Sequence, residues 1–330
     1  MNGIQKVIKY CAMAFAIFLT VVIFGSIVSV VLGVTTGIAG VNYLVGEDKE
    51  RINLAQEYTL EEAKSIGIQS ILVDCNAEIT VRQGEKLAIE ATNVTDEYML
   101  LCKNGKFSIV QKEPNIHLNW IFSFAGISER ETVVVTIPTE FHPEQIKVNS
   151  GSGKVLLECF QADSLVVDSG SGSVALSDVQ AKRMNIDSGS GRVTLARTNA
   201  EETGLVTGSG GISIEEAKLG KLRLDSGSGS VTMREVVAEE VMVDSGSGSV
   251  LVEGKLTGKC EFETGSGSLT LRLDGREEEY LVKAECGSGT FRINGKKRED
   301  GSYGTNVNGE LRIDSGSGSV NVEFNTPEEE

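Results

Sequence analysis

Few side chains in this sequence are placed to do chemistry. The two histidines, His117 and His142, are isolated, and the many serines form no Gly-x-Ser-x-Gly elbow that would set one up as a nucleophile. Neither a Gly-x-Gly-x-x-Gly stretch nor a Walker sequence is present, so the glycines flanking those serines do not read as a phosphate loop. They read as tight corners, where glycine accepts a positive φ. Gly170, Gly172, Gly189, Gly191, Gly227, Gly229, Gly246 and Gly248 are the clearest of these structural turn residues.

An acidic series accompanies the corners. Asp168, Asp187, Asp225, Asp244 and Asp314 each stand directly before Ser-Gly-Ser-Gly, Glu263 and Glu285 take the same position elsewhere, and Asn149 and Val206 break the series. Stacked carboxylates about 5 Å apart would repel by up to about 1 kcal/mol per pair in water-like dielectric, so something must favour acid there. The expected reason is an Asx-type hydrogen bond from the carboxylate to a turn N–H. The alternative is Ca²⁺, which collects carboxylate, hydroxyl and carbonyl oxygens. The sequence assigns no catalytic, cofactor-binding or metal-ligating residue and implies no cofactor.

The elements that hold these corners follow from a period. Ser-Gly-Ser-Gly-type turns begin at Ser150, Ser169, Ser188, Thr207, Ser226, Ser245 and Thr264, each 19 residues after the last, and two more begin at Cys286 and Ser315. Apolar pairs such as Leu165/Val167 and Leu222/Leu224 precede the turns, and Val174/Leu176 and Val231/Met233 follow them. That alternation is a strand with one buried face. A 19-residue unit cannot bury such a face alone, but stacked units can. The expected fold is therefore all-β: a single-stranded parallel β-helix (solenoid) with 19-residue rungs, right-handed, preceded by one transmembrane α-helix.

That helix is expected because no residue from Tyr10 to Gly46 is charged, a run long enough to span a bilayer. Basic Lys6 and Lys9 place the amino terminus in the cytoplasm and the body outside. Gly25, Ser29, Gly33 and Gly37 recur every four residues, a spacing that permits helix packing and a homodimer through the membrane segment. The chain thus divides into a cytoplasmic start (1–10), a signal-anchor helix (11–33) and a juxtamembrane linker with a short helix (34–66). Degenerate capping rungs (67–148), regular rungs (149–325) and an acidic tail (326–330) follow. Thr59 with Glu62 marks a capping box for the short helix, and Leu118, Trp120, Phe122 and Phe124 alternate as a hydrophobic cap over the first rung.

The net charge of −16 disfavours nucleic acid as a partner. Scattered cysteines without a CxxC do not form a secreted disulfide framework. The Asp-Ser-Gly-Ser-Gly-Ser-Val rungs at 168–174 and 244–250, with the strand Val134-Val-Thr-Ile-Pro138, resemble the putative adhesin family, a bacterial β-strand-repeat domain of unknown function. The resemblance covers residues 67–325 and implies a β-helix without established catalytic residues. The expected function is a membrane-anchored, non-enzymatic module at the cell surface that meets an unidentified surface, glycan or protein ligand. Alternatives are a cytoplasm-facing membrane scaffold and a carbohydrate-active enzyme.

Overall fold

Buried and exposed positions alternate along the strand Val174–Ser188, with Val174, Leu176, Met184 and Ile186 turned inward. Such a strand is stable only where its apolar face meets another. It pairs in parallel with Val155–Ser169, which sets Val174 on Val155, Leu176 on Leu157, Met184 on Leu165 and Ile186 on Val167. The same register carries through Asn199–Thr207, Lys218–Ser226 and Val231–Ser245. The computed structural model describes residues 51–112 and 130–325, and within them these columns stack as a β-solenoid with the 19-residue rung expected from the sequence.

Each rung has a feature that simple alternation hides. Leu176 and Val179 both face inward three residues apart, so the chain must turn between them. It does so at Asp178, with φ of 55°. The same left-handed corner recurs at Cys159, Arg197, Glu216 and Glu235, one rung apart each time, and a register shift then sets Gly254 opposite Val236. None of the first five is glycine, so each bears some strain. The corner adds an inward column that the sequence did not reveal: Phe160, Val179, Thr198, Ala217 and Val236.

The ends of the stack do not follow chain order. After the rung of Gly258–Thr264 and Leu269–Asp274, a short 3₁₀ turn at Glu277–Glu279 carries the chain one position further out. Tyr280–Cys286 and Phe291–Ile293 then form the outermost rung. The chain returns, and Gly309–Ser315 slots between, pairing in parallel with Gly258–Thr264 on one side and Tyr280–Cys286 on the other. Val320–Asn325 likewise lies between Leu269–Asp274 and Phe291–Ile293. This excursion accounts for the two irregular turn intervals. Buried Tyr280 fixes the crossing, its hydroxyl bonding the carbonyls of Leu256 at 3.0 Å and Asp274 at 3.1 Å.

The amino-terminal end is interleaved in the same way. Ser70–Asp74 lies between Lys106–Gln111 and Gln145–Ser150, and Glu78–Gly84 lies between Thr132–Pro138 and Val155–Ser169. Antiparallel strands cover the outer edges: Tyr98–Lys103 and Leu87–Val94 at one end, Gly301–Tyr303 and Lys296–Arg298 at the other. These short strands cover the edges of the end rungs.

Some sequence expectations are corrected. Part of the segment read as linker is the strand Ile52–Tyr58, which pairs antiparallel with Leu87–Val94. The capping box stands, with Thr59 N–H donating to Glu62 Oε2 at 2.8 Å and starting the helix Leu60–Ile66. The fold class that included a transmembrane helix is not upheld: no helix among the described residues is long and apolar enough to cross a membrane. Residues 11–33, including Gly25, Ser29, Gly33 and Gly37, lie outside the described residues, as do the 118–124 alternation and the tail.

Leu224 is 1% exposed, whereas Ser230 faces solvent. Leu224→Asp should therefore bury an uncompensated charge and cost more than about 3 kcal/mol, while Ser230→Asp should stay within about 0.5 kcal/mol. Thermal melts of the two variants check this register, and equal melting temperatures would refute it.

Candidate functional site

The turns owe their chemistry to stacking. Each turn passes its N–H groups to the turn beneath: Gly170 N–H donates to the Ser150 carbonyl at 3.0 Å and Ser171 N–H to Gly151 at 2.8 Å. In most turns the first hydroxyl is buried and closes the turn from inside, whereas Thr264 Oγ1 is buried without a partner and Cys286 has no hydroxyl. Ser169 Oγ donates to the Gly172 carbonyl at 3.0 Å, and Ser188, Thr207, Ser226 and Ser245 repeat that bond. With the N–H groups so used, the Asx role expected of the acidic series has no donor to receive. Asp168, Asp187, Asp225 and Asp244 instead point to solvent, with no hydrogen bond to the turn among the described residues. Nor, among those residues, do three His, Cys, Asp or Glu side chains converge as a metal set.

The glycines are required for a reason other than the one expected. None of the eight turn glycines named from the sequence has a positive φ. A Cβ on Gly172 would lie 1.9 Å from the Gly153 carbonyl oxygen, and one on Gly191 would lie 1.8 Å from that of Gly172. At Gly170 and Gly189 the corresponding approaches are 2.6 and 2.5 Å. The constraint is contact between rungs, and backbone against backbone cannot yield.

What remains available to a partner is the lateral surface. One column satisfies itself: Arg234 bonds Glu253, Arg272 bonds both Glu253 and Glu323, and the signs alternate from rung to rung. Exposed pairs of this kind stabilise by less than about 1 kcal/mol each and fix side chains more than they hold the fold. Arg272 reaches Glu323 only because the last rung is interleaved.

Two of the depressions among the described residues lie on the other columns. The larger, about 590 Å³, surrounds Gly204, over which the Asn185 side chain leans, its Oδ1 2.7 Å from where a Cβ would stand; Arg223, Met242 and Glu261 continue its wall. The second, about 370 Å³, runs along Gln161, Gln180, Asn199 and Lys218, with His142 at its margin. Neither brings a base to a nucleophile. The buried thiols are no nucleophilic centre either: burial pushes Cys75 up to about 12 and Cys260 and Cys286 up to about 11, away from the reactive thiolate. Cys159 is free and exposed at its corner. Sequence reasoning missed the hydroxyl column, the left-handed corner and the amide column, although all three repeat at the turn's own period.

The Toastrack DUF4097 family model matches residues 68–323, nearly the whole solenoid. The chain belongs to this family. Among solved structures, a putative lipid binding protein from Parabacteroides distasonis is 14% identical, covering 84% of this chain and 98% of its own, with a TM-score of 0.51. A putative adhesin from Bacteroides fragilis is 10% identical over 85% of this chain and 100% of its own, at a TM-score of 0.40. A putative adhesin from Parabacteroides merdae is 14% identical over 84% and 97%, at 0.42. At these identities the likeness is one of fold. No protein of curated function matches the chain.

The turn analysis generates a graded prediction. Gly191→Ala should destabilise the Toastrack solenoid severely, because the methyl meets a carbonyl oxygen 1.8 Å away. Ser188→Ala should cost about 1–3 kcal/mol by leaving the Gly191 carbonyl without its donor. Ser188→Thr should be nearly neutral, since Thr207 makes the same bond at 3.0 Å. Denaturant melts would give the order, and a tolerated Gly191→Ala would contradict it.

Proposed function

We propose that this Toastrack domain is a non-enzymatic binding module of adhesin-like type, working at the cell surface, that holds its partner along the side of the solenoid. The observation that carries this reading is the division of its surface. Interleaved rungs and antiparallel strands occupy both ends, which leaves the repeated columns to the sides. The sides offer rigid columns and the depression of about 590 Å³ around Gly204. A rigid scaffold lowers the ordering cost of an extended contact, which suits adhesion more than turnover.

A cytoplasm-facing scaffold is the second reading, favoured by the five cysteines without a disulfide among the described residues, Cys75, Cys102, Cys159, Cys260 and Cys286. Reduced thiols are the norm in that compartment. External protease applied to intact producing cells separates the two. The surface reading expects release of peptides from residues 130–325 before lysis. Release only after lysis would replace it with the cytoplasmic scaffold.

A further inference from the structure

The smaller depression has a composition that the rest of the surface lacks. Gln161, Gln180 and Asn199 occupy the same position on three consecutive rungs, Gln161 paired with Gln180 and Gln180 with Asn199 in the parallel ladder. Rungs are about 4.8 Å apart, so the three amides form a line along the stack axis with that step. All three are exposed, and none donates or accepts a hydrogen bond within the protein among the described residues. The Arg234–Glu253–Arg272–Glu323 column, by contrast, consumes its own valence.

The surroundings narrow the ligand. Beside the amides, Ala162, Ala181 and Ala200 are 7, 9 and 8% exposed, whereas Leu165 and Met184 on the next inward column are 0% exposed. These alanines lie on the inward face of the sheet, so the amides stand alone on its outer face. One lip is the column Asp163, Lys182 and Glu201, where Lys182 pairs Asp163 at 2.7 Å and Glu201 adds a negative charge, while Lys218 ends the amide line. An amide offers both donor and acceptor, as a hydroxyl does, and so matches a ligand that presents both at each step. The strongly acidic chain, at −16, disfavours an anionic ligand.

We propose that the Gln161–Gln180–Asn199 column is a binding subsite for a neutral, linear, hydroxyl-bearing oligosaccharide lying along the stack axis. This deepens the binding-module reading and rests on it for the biological setting, but the site can be tested apart from location. The full chain would be titrated calorimetrically with cellohexaose, chitohexaose and maltohexaose, and with hexagalacturonate as the charged comparison. Saturable binding of at least one neutral chain is expected, weakened about tenfold in Gln180→Leu and further when Gln161→Leu and Asn199→Leu are added. The melting temperature should not move, since all three side chains are exposed. Arg192→Ala, exposed and outside both depressions, should leave binding intact.

No saturation with any neutral hexasaccharide, a preference for hexagalacturonate, or binding unchanged in the triple variant would each overturn the subsite. Location is read separately by external protease. A surface-exposed chain that fails the titration retires the amide subsite alone, and a chain that binds sugar but resists protease until lysis retires the surface reading alone.

Discussion

Adjacent rungs of this solenoid approach so closely at the fourth turn position that a carbonyl oxygen occupies the space a Cβ would need, 1.7 Å away at Gly318 and 1.9 Å at Gly267. That contact governs the rest. It admits only glycine, and it brings the turn N–H groups onto the carbonyls of the rung below. It also holds the circumference at 19 residues wherever the turn recurs without excursion. Once the circumference is fixed, every side chain has a column, and identical environments select similar residues. The inward hydroxyl follows from the same contact: the fourth residue's carbonyl turns into the protein, where it needs a donor, and Ser or Thr three residues earlier supplies one.

Surface chemistry is organised by the same register. Charged residues one rung apart neutralise each other in one column, and amides one rung apart leave their hydrogen-bonding capacity open in another. A solenoid can therefore vary its outside without disturbing its inside, because inward and outward positions alternate on every strand. The left-handed corner at Cys159, Asp178, Arg197, Glu216 and Glu235 shows how far this tolerance extends. Five non-glycine residues with φ between 48° and 56° persist because the flanking strands leave the backbone no other path.

The rung, its inward columns at Leu224, Val231 and Val243, and the family were legible in the sequence because stacking repeats them. The purpose of the glycines was less legible. Positive φ and close approach both select glycine, and only coordinates distinguish them. The acidic series misled because an Asx bond needs a spare N–H, and whether one is spare depends on the neighbouring rung. The interleaved ends were beyond reach for a related reason: the Ser-Gly-Ser-Gly signal specifies that two turns stack without specifying which two. The alternating signs of Arg234, Glu253, Arg272 and Glu323 were the one available hint, and they make sense only when residue 323 follows 272. The amide subsite left no chemical signature because Gln and Asn at exposed strand positions are ordinary until the register lines them up.

The order of rungs at the carboxyl-terminal end is the most distinctive claim of this architecture, and cysteine cross-linking addresses it directly. Thr270 pairs with Asn321, and Asn321 pairs with Arg292 on its other side, so Thr270 and Arg292 are two rungs apart. Neighbouring parallel strands lie about 4.8 Å apart, within disulfide reach, and next-nearest strands do not. Mild oxidation of Thr270→Cys/Asn321→Cys should give the linked peptide by mass spectrometry, while Thr270→Cys/Arg292→Cys should not. Rungs stacked in chain order would reverse that result, linking 270 to 292 and leaving 321 apart.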